Sequence, residues 1–155
     1  MAVYNASPIF TESVSQVTAT NSVEVGTVRR DGDEEYVYVY NAGSSTVNPG
    51  YACVLSGVSG YSVTVSSITA VDFAIGHCKH AAIPTGSYGW LLTRGFAQVQ
   101  MGASDSMVAG QILRLGVDGV YVLASNATGN MSPIIAKAMG AAASGGTATA
   151  YIKIW

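Results

Sequence analysis

The sequence predicts an all-β fold, a compact antiparallel β-barrel or sandwich, on three observations. Clusters of Gly, Asn, Ser and Pro recur along the chain and separate short runs rich in Val, Ile, Thr and Tyr, the composition of tight turns and strands. Asp31-Gly32-Asp33 stands between two such runs, and Asp-Gly accepts the positive φ angles of a hairpin turn. The chain also matches itself at an offset of about 60 residues. Gly26 then meets Gly86 and Gly146, Val39 meets Val99, Gly50 meets Gly110, Leu55 meets Leu115, Tyr61 meets Tyr121 and Ile75 meets Ile135. Such a match describes two related strand-rich units, with the last strand standing in the place that begins each unit.

The elements follow in order. Residues 1–22, rich in Ser, Thr, Ala and Asn, carry no strand pattern and are read as an extended N-terminal arm; residues 23–155 then form a single β domain. Val23 to Arg30 and Glu35 to Asn41 flank the Asp-Gly turn. In the second of these, Val37 and Val39 alternate with Tyr36, Tyr38 and Tyr40, giving one aliphatic and one aromatic face. Further strands are expected at Tyr51 to Leu55, Tyr61 to Ser66, Ser87 to Thr93, Phe96 to Met101, Gln111 to Leu115, Val120 to Ala124 and Thr147 to Trp155. Two segments read either way. Ser132-Pro133 ahead of IIAKAM and Gly140 has the start and stop signals of a short helix. Asp72 to His80 poses the same choice. Strands are preferred for both, because Gly76 weakens a helix by roughly 1 kcal/mol and the surroundings are β.

Charge narrows the function. Seven basic and nine acidic side chains make up 10% of the 155 residues, where about 25% is usual for a soluble domain. No charged side chain occurs from Tyr36 to Val71. Interspersed charges keep ordinary monomers apart, so this surface is read as one to be covered by other protein. A membrane span needs about 20 mainly apolar residues, and here Gly, Ser, Thr, Asn or Pro interrupts every uncharged stretch; no membrane partner is expected. The basic residues are too few and too scattered for a nucleic-acid footprint. Cys53 and Cys78 are too few for a disulfide framework and are read as free buried thiols.

Candidate chemistry is thin. In a strand, Cys78 and His80 of His77-Cys78-Lys79-His80 would face one way and His77 the other, leaving two ligands where zinc takes three or four; no metal or other cofactor is expected. Asp31, Asp33 and Glu35 alternate as in a calcium loop, but the distal bidentate Glu is missing. No acid/base pair with a supporting shell can be assembled, so no enzyme is expected. The aromatic residues remain. Tyr36, Tyr38 and Tyr40 are read as core or interface packing, or as a stacking platform for a sugar with Asn41 beside it; Trp90 and Trp155 are read as core or interface anchors.

The second half carries a further pattern: Tyr88-Gly89-Trp90, Arg94-Gly95-Phe96, Ala109-Gly110, and Ala136 with Gly145-Gly146. Over residues 74–155 this resembles the decoration, or cement, proteins of tailed-bacteriophage capsids, departing at Ala136, where such proteins often carry Gly. A β-rich domain from a virion fibre has a similar pattern. The resemblance implies a virion protein on the outer surface of the capsid that stabilises the shell by bridging capsomers. It also implies the major capsid protein and further copies of itself, as dimer or trimer, as partners. The alternative is a carbohydrate-binding head domain of a fibre. On the first reading the arm orders against the shell, with Val3, Tyr4, Ile9 and Phe10 as its apolar contacts.

Overall fold

A computed structural model of the chain describes residues 10, 12–56, 60–65, 74–124 and 134–154. Among these residues ten strands form one continuous sheet. In chain order they are β1 (Val28–Asp31), β2 (Glu34–Asn41), β3 (Ala52–Leu55), β4 (Ser62–Thr64), β5 (Ala74–His77), β6 (Tyr88–Gln100), β7 (Ile112–Leu115), β8 (Tyr121–Leu123), β9 (Ile134–Ala138) and β10 (Thr147–Lys153), with a 3-10 turn at Val117–Gly119. The all-β expectation holds. Both ambiguous segments are strands, β5 and β9. The two strands expected at Ser87 to Thr93 and Phe96 to Met101 are one, β6.

The sheet closes on itself. β2, β4, β3, β5 and β6 follow one another in order, and β2 then pairs with β6 from Tyr36↔Leu92 to Tyr40↔Tyr88, completing a five-stranded barrel. The rest of β6 starts a second ring, β6-β10-β9-β7-β8. A parallel bridge Met101↔Tyr121 and the bond from Gly102 N–H to the Tyr121 carbonyl, 2.9 Å, draw its last strand back to the end of β6. The expected antiparallel order is therefore broken once in each ring, at β2–β4 and at Met101↔Tyr121. The reason is topological: strand directions cannot alternate all the way around a ring with an odd number of members.

The offset of about 60 residues is a structural duplication. β3 pairs with β5 as Ala52↔His77, Cys53↔Gly76 and Val54↔Ala74, with a bulge after Cys53. β7 pairs with β9 as Ile112↔Lys137, Leu113↔Ala136 and Arg114↔Ile134, with a bulge after Leu113; every partner is displaced by 60. Isolated bridges Val47↔Ile83 and Met107↔Ala142 repeat in the same way, the second partner slipping by one. A turn with a positive-φ glycine, Gly26, Gly86 or Gly145, leads into β1, β6 and β10 in turn. The main-chain bonds Thr27 to Glu24, Ser87 to Pro84 and Gly146 to Ala143 close these three turns.

Apolar burial follows the rings. Val37, Val39, Val47, Cys53, Val63, Cys78, Ile83 and Leu91 fill the first barrel. A larger cluster joins the inside of the second barrel (Val99, Leu113, Ala136, Ala148, Ile152) to the outer face of the first (Tyr36, Tyr38, Trp90, Leu92). The two cysteines are free and buried. They occupy the places that Leu113 and Ala138, both buried apolar residues, hold 60 residues on, and a free buried Cys behaves as a small hydrophobe.

Candidate functional site

The aromatic face of β2 is the first candidate, and the chain itself covers most of it. Tyr36 and Tyr38 are 1% and 2% exposed and Trp90 is 4% exposed. Tyr38 packs against Trp90, ring centroids 5.0 Å apart, and against Tyr88 at 6.1 Å. Its hydroxyl meets those of Thr18 and Ser22, each at 3.2 Å. Of the three β2 tyrosines, only Tyr40, its ring tilted against that of Tyr88 at 4.9 Å, stays half-buried. Asn41 is fully buried, its amide donating to the carbonyls of Ser45 and Ile83. A sugar platform of Tyr36, Tyr38 and Asn41 is therefore not open to solvent, because two-sided burial in the barrel wall claims them.

The segment on top of these rings belongs to the expected arm. Residues 12–22 contain no strand, yet they are seated on the domain. Thr18 and Tyr88 exchange main-chain bonds of 3.0 and 2.8 Å. Phe10 sets its ring edge-on to Trp90 at 5.5 Å, with the Arg29 guanidinium 5.3 Å from its centroid. Arg29 also donates to the Glu12 carbonyl. Phe10, expected as an apolar contact of the arm with the shell, is half-buried against Trp90 and Arg29 of its own chain. Val3, Tyr4, Ile9 and Trp155 lie outside the described residues.

The charged run Arg29 to Glu35 forms the β1–β2 hairpin. Its two-residue loop is Gly32-Asp33, one residue later than the Asp-Gly reading, with Gly32 at φ 61°. Arg30 pairs with Glu35 at 3.0 Å, and Arg29 approaches Asp31 at 4.0 Å. Behind the tip lies a cluster the sequence reading missed. Lys79 binds Glu34, the Tyr36 hydroxyl donates to Glu34, and His80 stacks on Tyr36 with Nε2 at 3.0 Å from its hydroxyl. Burial pushes Glu34 up, but the hydrogen bonds from Lys79 and Tyr36 outweigh it and hold the carboxyl below its ordinary range. Burial and the Glu34 carboxylate push the Tyr36 phenol up. Lys79 and His80 lie more than forty residues from Glu34 and Tyr36 along the chain, and no local motif joins the two pairs.

His77, Cys78 and His80 part company. β5 ends at His77, so the alternation assumed for a longer strand does not hold. Cys78 points into the first barrel and His80 lies on Tyr36. His77 is fully buried, with Nδ1 2.8 Å from the hydroxyl of Tyr121 in the second barrel. Burial pushes its imidazole down to about 4 and the Cys78 thiol up to about 12. Among the described residues no three His, Cys, Asp or Glu side chains gather as metal ligands. No described helix is long and apolar enough to cross a membrane. One apolar cleft of about 230 Å³ opens at the mouth of the first barrel, lined by Val28, Val37, Tyr61, Ala74, Ile75 and Ile154 with Glu35 and Thr93.

No protein-family model matches the chain, and no curated protein matches it. Among solved structures, the chain is similar to the head fibre gp8.5 N base of bacteriophage phi29. The TM-score is 0.52 at 18% identity, and the likeness covers 76% of this chain and 94% of that one. At this identity it shows a shared fold.

Proposed function

We propose that the chain is a non-enzymatic structural protein of a tailed-phage virion, mounted on the outside of the head. The observation that carries this reading is the likeness to a head-fibre base along nearly the whole of that chain. The low charge supports it, since a surface this neutral suits burial against other protein. The partner on this reading is the major capsid protein, bound by a dimer or trimer of the chain, with each subunit bridging neighbouring capsomers. A second reading, that the chain is the base from which a fibre projects, is favoured by the same likeness.

Cryo-electron microscopy of the particle that the chain belongs to tests the reading. Density for the two barrels on the outer head surface is expected, and a particle without the chain overturns it. Heads assembled without the chain separate the two versions. A lowered rupture temperature marks a shell-stabilising subunit; intact heat resistance with a lost projection marks a fibre base. Removing residues 1–20 would strip Phe10, Val14 and Thr18 from the domain, so removing residues 1–9 is the cleaner test of an arm. A glycan array addresses the carbohydrate alternative through Tyr40 and Tyr88, which are half-buried, rather than through the core residue Tyr38.

A further inference from the structure

The duplication places the same row of side chains on the outside of both barrels. In the first, Tyr36, Leu92, His77 and Ala52 are successive cross-strand neighbours over β2, β6, β5 and β3. In the second, Phe96, Tyr151, Lys137 and Ile112 are the corresponding neighbours over β6, β10, β9 and β7. The positions correspond at offsets of 60, with 59 for Leu92 and Tyr151. Their surroundings differ completely. Every member of the first row is 1% exposed or less. His80 stacks on Tyr36, the Tyr121 hydroxyl meets His77, and the chain at Gly119 runs so close to the Ala52 carbonyl that a Cβ there would lie 2.6 Å from its oxygen. In the second row Phe96 is 51% and Ile112 40% exposed, and Lys137 is exposed.

We propose that this second row is a protein-docking surface, and that its occupant is a shell-protein surface with an apolar centre and a carboxylate rim. The inference rests on the virion reading above and names the face that makes the contact. Three of the four members, Phe96, Tyr151 and Ile112, are apolar or aromatic, and the surface is pre-organised: Phe96 and Tyr151 form an edge-to-face pair at 5.0 Å, and the neighbouring Gln98 donates to Thr149 at 3.0 Å. Side chains already held in place lose little entropy on binding, and aromatic anchors in a dry centre carry most of an interface's energy. The rim decides the partner. Lys137 lies within the row and Lys153 and Arg94 border it, Arg94 with Glu35 as its cross-strand neighbour, while the described residues of β7, β9, β10 and the second half of β6 include no Asp or Glu. Two copies of the chain meeting through this face would bring like charges together, whereas carboxylates on a partner would be attracted and would make binding salt-sensitive.

Co-sedimentation of the full chain with heads assembled without it tests the proposal, using Phe96→Ser/Ile112→Ser and Lys137→Glu/Lys153→Glu. Both pairs alter exposed positions, so melting temperatures should stay close to that of the parent. The parent should bind saturably and less tightly as salt is raised. Each double variant should bind at least about tenfold more weakly. If the parent does not bind heads, the virion reading falls and this inference with it. If the parent and both variants bind alike, the virion reading stands and the docking face is wrong. If Phe96→Ser/Ile112→Ser turns an oligomer of the chain into a monomer with undiminished head binding, the face belongs to a second copy and the proposal is overturned.

Discussion

At the scale of single residues, burial has silenced groups that look chemical in the sequence. His77 sits between the two barrels with its imidazole pushed down to about 4 by burial, whereas an unfolded His titrates near the ordinary 6.5. The unfolded chain takes up the proton first. Stability attached to His77 is therefore complete above pH 6.5, is lost as pH falls towards 4, and declines no further below that; the loss is as much as ~3 kcal/mol. His80 is shifted the same way by burial and adds to the slope. Urea unfolding between pH 7 and pH 4 should show this loss, and His77→Leu should flatten most of it even if the variant is weaker at pH 7. The sequence placed His77 in a strand and gave it no partner; Tyr121 reaches it only because the second barrel folds over the first.

At the scale of elements, the two barrels reach the same wall with different residues. A Cβ at Gly76 would sit 2.4 Å from Leu91 Cβ, and one at Gly89 would sit 2.8 Å from Ile83 Cδ1. The counterparts in the second barrel are Ala136 with Ala150, and Ala148 with Ala142. A glycine facing a large residue in one barrel is thus two alanines in the other, and the departure at Ala136 from the decoration-protein pattern has a volume rationale. Gly76→Ala should cost about 1–3 kcal/mol by overpacking, and Leu91→Ala about 2–5 kcal/mol by leaving a cavity. The double variant should fall short of their sum by at least ~1 kcal/mol in a denaturation cycle. The β1–β2 hairpin shows a different economy. Among the described residues β1 pairs only with β2, while its relatives β6 and β10 have neighbours on both sides. The open strand is also where Arg29, Arg30 and Asp31 lie, and charges on an exposed edge discourage pairing with other chains. Replacing Arg30 and Asp31 with valine should leave the spectrum of the fold unchanged and raise light scattering on concentration.

At the scale of the whole molecule, β6 belongs to both barrels, and one apolar cluster spans the inside of the second and the outside of the first. Neither barrel can lose its share of β6 without exposing the other. Unfolding in urea should accordingly be a single transition, with far-ultraviolet dichroism and Trp90 environment changing together; two separated transitions would mean that the barrels are independent. The duplication also creates the asymmetry on which the docking proposal stands. The second barrel and its turn cover the outer row of the first, while the same row on the second barrel lies open.

Composition and spacing alone determined the β class, most of the strand segments and the offset between the units, and favoured strand at the two contested segments, because strand propensity and turn chemistry are local; the β1–β2 loop and the unbroken course of β6 through Arg94-Gly95 were not legible there. Tertiary structure alone decided that the rings have five strands and one parallel pairing each, that residues 12–22 lie on the domain, and that Tyr36, Tyr38 and Trp90 are core. It also brought Glu34, Tyr36, Lys79 and His80 into one cluster. The physical reason is that an alternating strand records that it has two faces, but not what lies on each. Which face is buried depends on how the ring closes and which unit folds over it, and those contacts join residues far apart along the chain.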